Sequence, residues 1–255
     1  MTRFGLIRTF ILCSLLTGQS ALAASPRDYL QDLGAYAQAP LHWDAQDWRY
    51  IGASAAAVAA AYSLDERGRD HFADGGVPAG QDPHAWRDAA PLLALTAGTF
   101  AIGKLRHDDT TAEIGLDMAE ASVLGALSAT VLKVAAGRAR PNETSSRSSW
   151  RDGGDSFPSG HVTIAFAAAE VFADRLPREQ WGWRALAYGL AGVTAYARLD
   201  GNVHWLSDTV AGAALGIATG RFIAGRGETR QPSRVAMSVV PLQGGAMIEW
   251  HLRTD

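Results

Sequence analysis

Three short blocks in the second half of the chain constrain its fold more than any other feature. They are Lys133 with Arg140-Pro141, then Pro158-Ser159-Gly160-His161, then Arg198 with His204 and Asp208. Each lies at the edge of an apolar, helix-compatible segment, so a chain that uses them together must bring several helix ends to one place. Between them they supply three cations, two histidines, one carboxylate and a Ser-Gly turn.

The segments around the blocks read as mostly helical. Periodicity and breakers predict helices over 28–37, 44–64, 85–105, 110–136, 159–175, 180–197 and 205–223. Polar loops are expected over 65–83 and 142–157, the latter rich in Ser, Gly and Asp and without periodicity. The expectation is an all-α bundle of about six to seven helices. A small C-terminal β-hairpin, about 233–253, is expected around Gly244-Gly245, where Val, Met, Ile and Trp are frequent. It reads as a flap over one side of the bundle.

Residues 1–24 read as a secretory signal peptide: Arg3 and Arg8, a short apolar run from Phe10, and Ala21-Leu22-Ala23 as the cleavage site. The domain is then 25–255, with a motif-bearing core of about 90–225. Cys13, the single cysteine, falls within the leader, so the exported chain has no thiol for a disulfide or a metal. Without the two leader arginines the chain is more acidic than its formal net charge of −3, which disfavours nucleic acid as a partner. The helices look too Ala-rich and too charged to span a bilayer. The expected location is the periplasm, with peripheral membrane contact the furthest association foreseen. Trp43, Trp48, Trp86, Trp181 and Trp183 are read as core or rim residues rather than as an interfacial belt.

The middle block places Pro158 at the first helical position and offers the N–H groups of Ser159 and Gly160 as an anion site, with His161 at its edge. In the first block, Lys133 and Arg140 are close to two helical turns apart and can leave one face, with Pro141 ending the helix. Arg138 falls off that face. In the third, His204 and Asp208 are four apart at a helix start, so a carboxylate can hold the imidazole Nδ1–H and leave Nε2 nucleophilic. Each block alone could be an ordinary cap or ion pair. Together they suit a bound phosphate and phosphoryl transfer, which needs positioning and charge more than covalent work.

Lys133-x6-Arg140-Pro141, Pro158-Ser159-Gly160-His161 and Arg198-x5-His204-x3-Asp208 resemble the three-part signature of the type 2 phosphatidic acid phosphatase (PAP2) superfamily. That superfamily includes bacterial acid phosphatases, lipid phosphate phosphatases and vanadium haloperoxidases. The third motif usually begins Ser-Arg and here begins Ala197-Arg198. The resemblance implies a helical bundle in which Lys133, Arg140, Arg198, Ser159 and Gly160 bind the phosphoryl group. It also implies that His204 attacks phosphorus, Asp208 orients His204, and His161 protonates the leaving alkoxide and later activates water.

The expected activity is metal-independent hydrolysis of phosphomonoesters or lipid phosphates through a phosphohistidine. No cofactor is expected, and vanadate is expected to inhibit. The alternatives are a vanadate-dependent haloperoxidase, disfavoured by the short chain, and a non-catalytic anion-binding envelope protein. His107-Asp108-Asp109 reads as a solvated turn rather than a metal site. His42, His71, His84 and His251 read as surface residues.

Overall fold

The computed structural model describes residues 26–73, 85–229, 235–242 and 245–252. The expected signal peptide and His84 lie outside them. The helices are α1 (Pro26–Gln38), α2 (Ala45–Phe72), α3 (Ala85–Arg106), α4 (Asp109–Ala136), α5 (Gly160–Arg175), α6 (Trp181–Asp200) and α7 (Leu206–Thr229). Short 3-10 turns, Ala39–His42 and Arg178–Gln180, precede α2 and α6. Beyond the helical body, the backbone of β1 (Val235–Leu242) pairs antiparallel with that of β2 (Gly245–Leu252), Val235 opposite Leu252.

Local chemistry sets the helix ends. Asp44 accepts from the N–H groups of Gln46 and Asp47, and Asp47 returns a bond to the Asp44 N–H, closing a capping box at α2. Asp108 caps α4 by accepting from Thr111 N–H at 3.1 Å. Gly137 ends α4 in the left-handed region, at φ 54°, and its N–H bonds the Lys133 carbonyl at 2.8 Å.

The core forms around α5, which is apolar on every side and is therefore enclosed by neighbours. Ala165, Ala167, Ala168, Ala169 and Val171 pack with Met118, Ala121 and Leu124 of α4, Ala187 and Ala191 of α6, and Ile223 of α7. The contact with α7 is the closest. Gly212, Gly216 and Gly220 recur every four residues along one face. A methyl at Gly216 would come 2.4 Å from the Thr163 carbonyl, and one at Gly212 would come 2.7 Å from the Ser159 carbonyl. Backbone therefore lies against backbone, and α7 fixes the height of the α5 N-terminus.

Several expectations need correction. Helix α2 continues two turns past Leu64, and Asp65 is fully buried inside it rather than opening a loop. Burial is tolerable there because Arg138, just past α4, and Ser207 of α7 satisfy its carboxylate. Helix α4 stops at Ala136 on the Gly137 cap, so Pro141 does not end it and Arg140 shares no helix face with Lys133. Pro158 precedes the cap residue Ser159 rather than occupying the first helical position. His204 lies just before α7, not on it. Trp48, Trp181 and Trp183 are exposed, not core.

Helix α4 also corrects the view that the helices are too charged to span. It is long and apolar enough to cross a membrane by length and composition, a test that the core helix of a soluble protein also passes. Its outer face exposes Val123, Leu127, Val131 and Val134, spaced three or four apart.

Candidate active site

The three blocks converge where the end of α4, the start of α5, the end of α6 and the start of α7 meet. Ser159 is the N-cap of α5, and its N–H donates to the Asp208 carbonyl at 3.0 Å. The first N–H groups of a helix lack internal partners and carry the positive end of its dipole, which makes this turn an anion site. The Ser159 hydroxyl is buried there without a hydrogen-bond partner. Lys133 reaches across from α4: its Cε lies 3.6 Å from where a Cβ on Gly160 would sit. His161 follows on the first turn of α5 and is half-buried.

Asp208 is the hub of the site. One carboxylate oxygen accepts from Arg138 at 2.6 Å, and the other from Ser156 Oγ at 2.5 Å and the Trp205 N–H at 2.9 Å. The Trp205 bond also caps the start of α7. His204 Nδ1 stands 3.6 Å from the same oxygen, an ion-pair distance longer than a hydrogen bond. The remote edge of the ring, Nε2, is left for another partner.

Burial governs the charge states. It pushes the His204 imidazole down to about 4, against the pull of Asp208, and the positive charges of Lys133 and Arg198 act in the same direction as burial. Burial opposes the charge on Asp208 too, but the His204 ring, Arg138 and Ser156 outweigh it and hold the carboxyl below its ordinary range. Burial lowers the Lys133 ammonium to about 8, partly offset by Asp155.

The remaining cations come from opposite sides. Arg198 is buried on the last turn of α6, and the chain turns back through Gly201 and Asn202 to deliver His204. Arg140 lies beyond α4 and makes a forked contact with Asp155, at 2.8 Å from Nε and 3.0 Å from Nη2. Lys133 Nζ donates to the Asp155 carbonyl. Asp155, in the loop expected over 142–157, thus joins the two cations that the helical-face argument linked for the wrong reason.

Reading the sequence missed Asp65, Arg138, Ser156 and Asp155. Arg138 is turned away from the anion site, into the core behind Asp208. Asp65 gave one usable signal: it ends a long apolar run and is followed at once by the helix formers Glu66 and Arg67. The His107-Asp108-Asp109 turn is a helix start, with Asp109 3.5 Å from Lys104. Among the described residues, no three His, Cys, Asp or Glu side chains gather as metal ligands.

The helix ends gather a Ser-Gly turn and a buried His-Asp pair in one bundle, as the three blocks led one to expect. Residues 115–231, a segment that holds all three blocks, match the PAP2 superfamily. The chain is also 37% identical over 91 residues to the lipid A 1-phosphatase of Porphyromonas gingivalis. That stretch is 35% of this chain and 18% of the relative, so the chain spans less than a fifth of the curated relative it matches. No solved structure matches it.

Proposed function

We propose that this protein is an exported, metal-independent phosphatase of lipid phosphates and related phosphomonoesters, working through a phosphohistidine. The observation that carries the reading is His204: buried, held uncharged, its Nδ1 toward Asp208, and beside the Ser159–Gly160 helix start. In the first step His204 Nε2 bonds to phosphorus as the ester P–O bond breaks, and His161 gives a proton to the departing alkoxide. In the second, His161 takes a proton from water, the hydroxide attacks phosphorus, and the P–N bond breaks to release phosphate.

Lys133, Arg140 and Arg198, with the Ser159 and Gly160 turn, offset the charge that develops on the equatorial oxygens. Each preorganised donor of this kind is worth about 2.7–4 kcal/mol. Three cations and a helix N-terminus can thus supply the stabilisation that a metal ion would otherwise give. The lipid assignment is supported by the relative named as a lipid A 1-phosphatase and by the apolar face of α4, which ends beside Lys133. The leader-like N-terminus supports a periplasmic location.

The test is an assay of the exported chain with a chromogenic phosphomonoester and with detergent-dispersed lipid phosphates. Turnover should resist EDTA, yield to vanadate and vanish in His204→Ala. Halide oxidation with vanadate and peroxide, without ester hydrolysis, would replace this reading with the haloperoxidase one. No turnover of any kind would leave an anion-binding protein.

A further inference from the structure

Behind the His204–Asp208 pair lies a second layer of buried charge. Arg138, Asp65 and Asp208 all have fully buried side chains. The Arg138 guanidinium bridges the two carboxylates, at 2.6 Å to Asp208 through Nη1 and 2.7 Å to Asp65 through Nη2. Ser207 joins the same cluster: its hydroxyl accepts from Arg138 at 2.8 Å and donates to Asp65 at 2.6 Å, and its N–H donates to Asp65 at 2.8 Å. Nη2 also donates to the Arg147 carbonyl at 3.0 Å. The rings of Tyr62, Trp150 and Trp205 surround the guanidinium, with centroids 5.3, 4.6 and 5.1 Å from its central carbon.

A structural ion pair needs one carboxylate for one guanidinium. Here there are two, both desolvated, and burying the additional charge is expensive. The surplus has a direction. With Asp208 alone on Arg138, the pair would be neutral and would present little negative charge to His204. With Asp65 taking half of the guanidinium, Asp208 keeps net negative charge on the side that faces the imidazole. Asp65 also comes from α2, outside all three motif blocks, so it anchors the start of α7 to a separate helix.

We propose that Asp65 and Arg138 are positioning residues for the His204–Asp208 pair: one guanidinium shared between two buried carboxylates fixes Asp208 and leaves its charge directed at His204. The proposal rests on the reading of His204 as nucleophile. Its action is on the ring: a negative Asp208 favours the tautomer with the proton on Nδ1, which keeps the Nε2 lone pair available for phosphorus.

The experiment compares the full chain with Asp65→Asn, which keeps the shape and an acceptor for the Ser207 N–H but removes the charge. The first readout is the His204 tautomer, from imidazole nitrogen shifts at neutral pH. The second is steady-state kinetics, corrected for the folded fraction. Asp65→Asn should weaken the Nδ1–H preference and lower kcat by about 10–100-fold, the usual range for outer partners of a catalytic imidazole, with KM little changed. Ser207→Ala removes no charge and should keep the tautomer. Should Asp65→Asn not fold, Arg138→Lys carries the same test, because a point donor cannot hold both carboxylates. An unmoved tautomer, or a kcat that follows the folded fraction alone, would overturn the proposal. Because the tautomer is read without substrate, it decides this inference even if the wild-type chain proves inactive, a result that would sink the phosphatase reading separately.

Discussion

The Ser159 N–H donates to the carbonyl of Asp208 at 3.0 Å, and this one bond joins the first turn of α5 to the helix that carries the Asp208 carboxylate. It can form only because α5 and α7 touch backbone to backbone along Gly212, Gly216 and Gly220. The Ser159–Gly160 turn and the Asp208 end of α7 thus share one rigid seam, and their separation is set by helix packing rather than by loops.

That seam predicts an asymmetry between glycines. Gly216→Ala places a methyl 2.4 Å from the Thr163 carbonyl and must push the helices apart. It should cost about 1–3 kcal/mol in a denaturant titration, as overpacking does, and lower kcat by shifting Ser159 from Asp208. Gly189→Ala, on α6 with open space around it, should be neutral or stabilising by up to about 1 kcal/mol. Equal effects at the two sites would remove the seam from the argument.

Two titrations should bound activity. His204 is uncharged above about 4 and Lys133 is charged below about 8. Below the first limit the nucleophile is protonated, and above the second a phosphate ligand loses its charge. A bell-shaped kcat/KM profile between these limits is expected, since kcat/KM reports the free enzyme. In Lys133→Arg the alkaline limb should move up by more than one pH unit, because arginine keeps its proton. An alkaline limb that stays in place would assign it to His161, the proton donor of the proposed first step, rather than to Lys133.

The sequence carried the site better than the fold around it. Lys133, Ser159, Gly160, Arg198, His204 and Asp208, singled out by type and spacing, are brought near one another in the structure. Asp65 and Arg138 could not, since nothing local marks a partner lying across the bundle. The helical-face link between Lys133 and Arg140 was drawn from spacing alone, and the Gly137 cap breaks it; Asp155 makes the link instead. The exposed face of α4 is not legible in its overall charge, because charge counted along a whole helix hides an apolar stripe that lies on one side.

Stability should also depend on His204. Its folded value of about 4 lies below its ordinary 6.5, so the unfolded chain binds the proton first as pH falls. Stability is then complete above about 6.5 and declines toward 4, with a contribution from this residue of about 3 kcal/mol. His204→Asn should lose that part of the slope between pH 7 and 4 in thermal or urea unfolding. An unchanged slope would mean that the ring is solvated in solution.

Asp155 holds the Arg140 guanidinium, which the proposed function assigns to the phosphoryl group. Its carboxylate is largely exposed, at 62%, and the Arg140 contact lowers its pKa. An exposed pair of this kind is worth at most about 1 kcal/mol, so an incoming dianion can displace it at small cost. Asp155→Asn removes that competition and should tighten inhibition by free phosphate by about two- to fivefold, within the same energy. The gain should fade as salt is raised, because both charges are screened. Weaker inhibition in the variant would show the opposite role: Asp155 would then hold Arg140 in place for substrate, and its loss would appear as a higher KM with kcat unchanged.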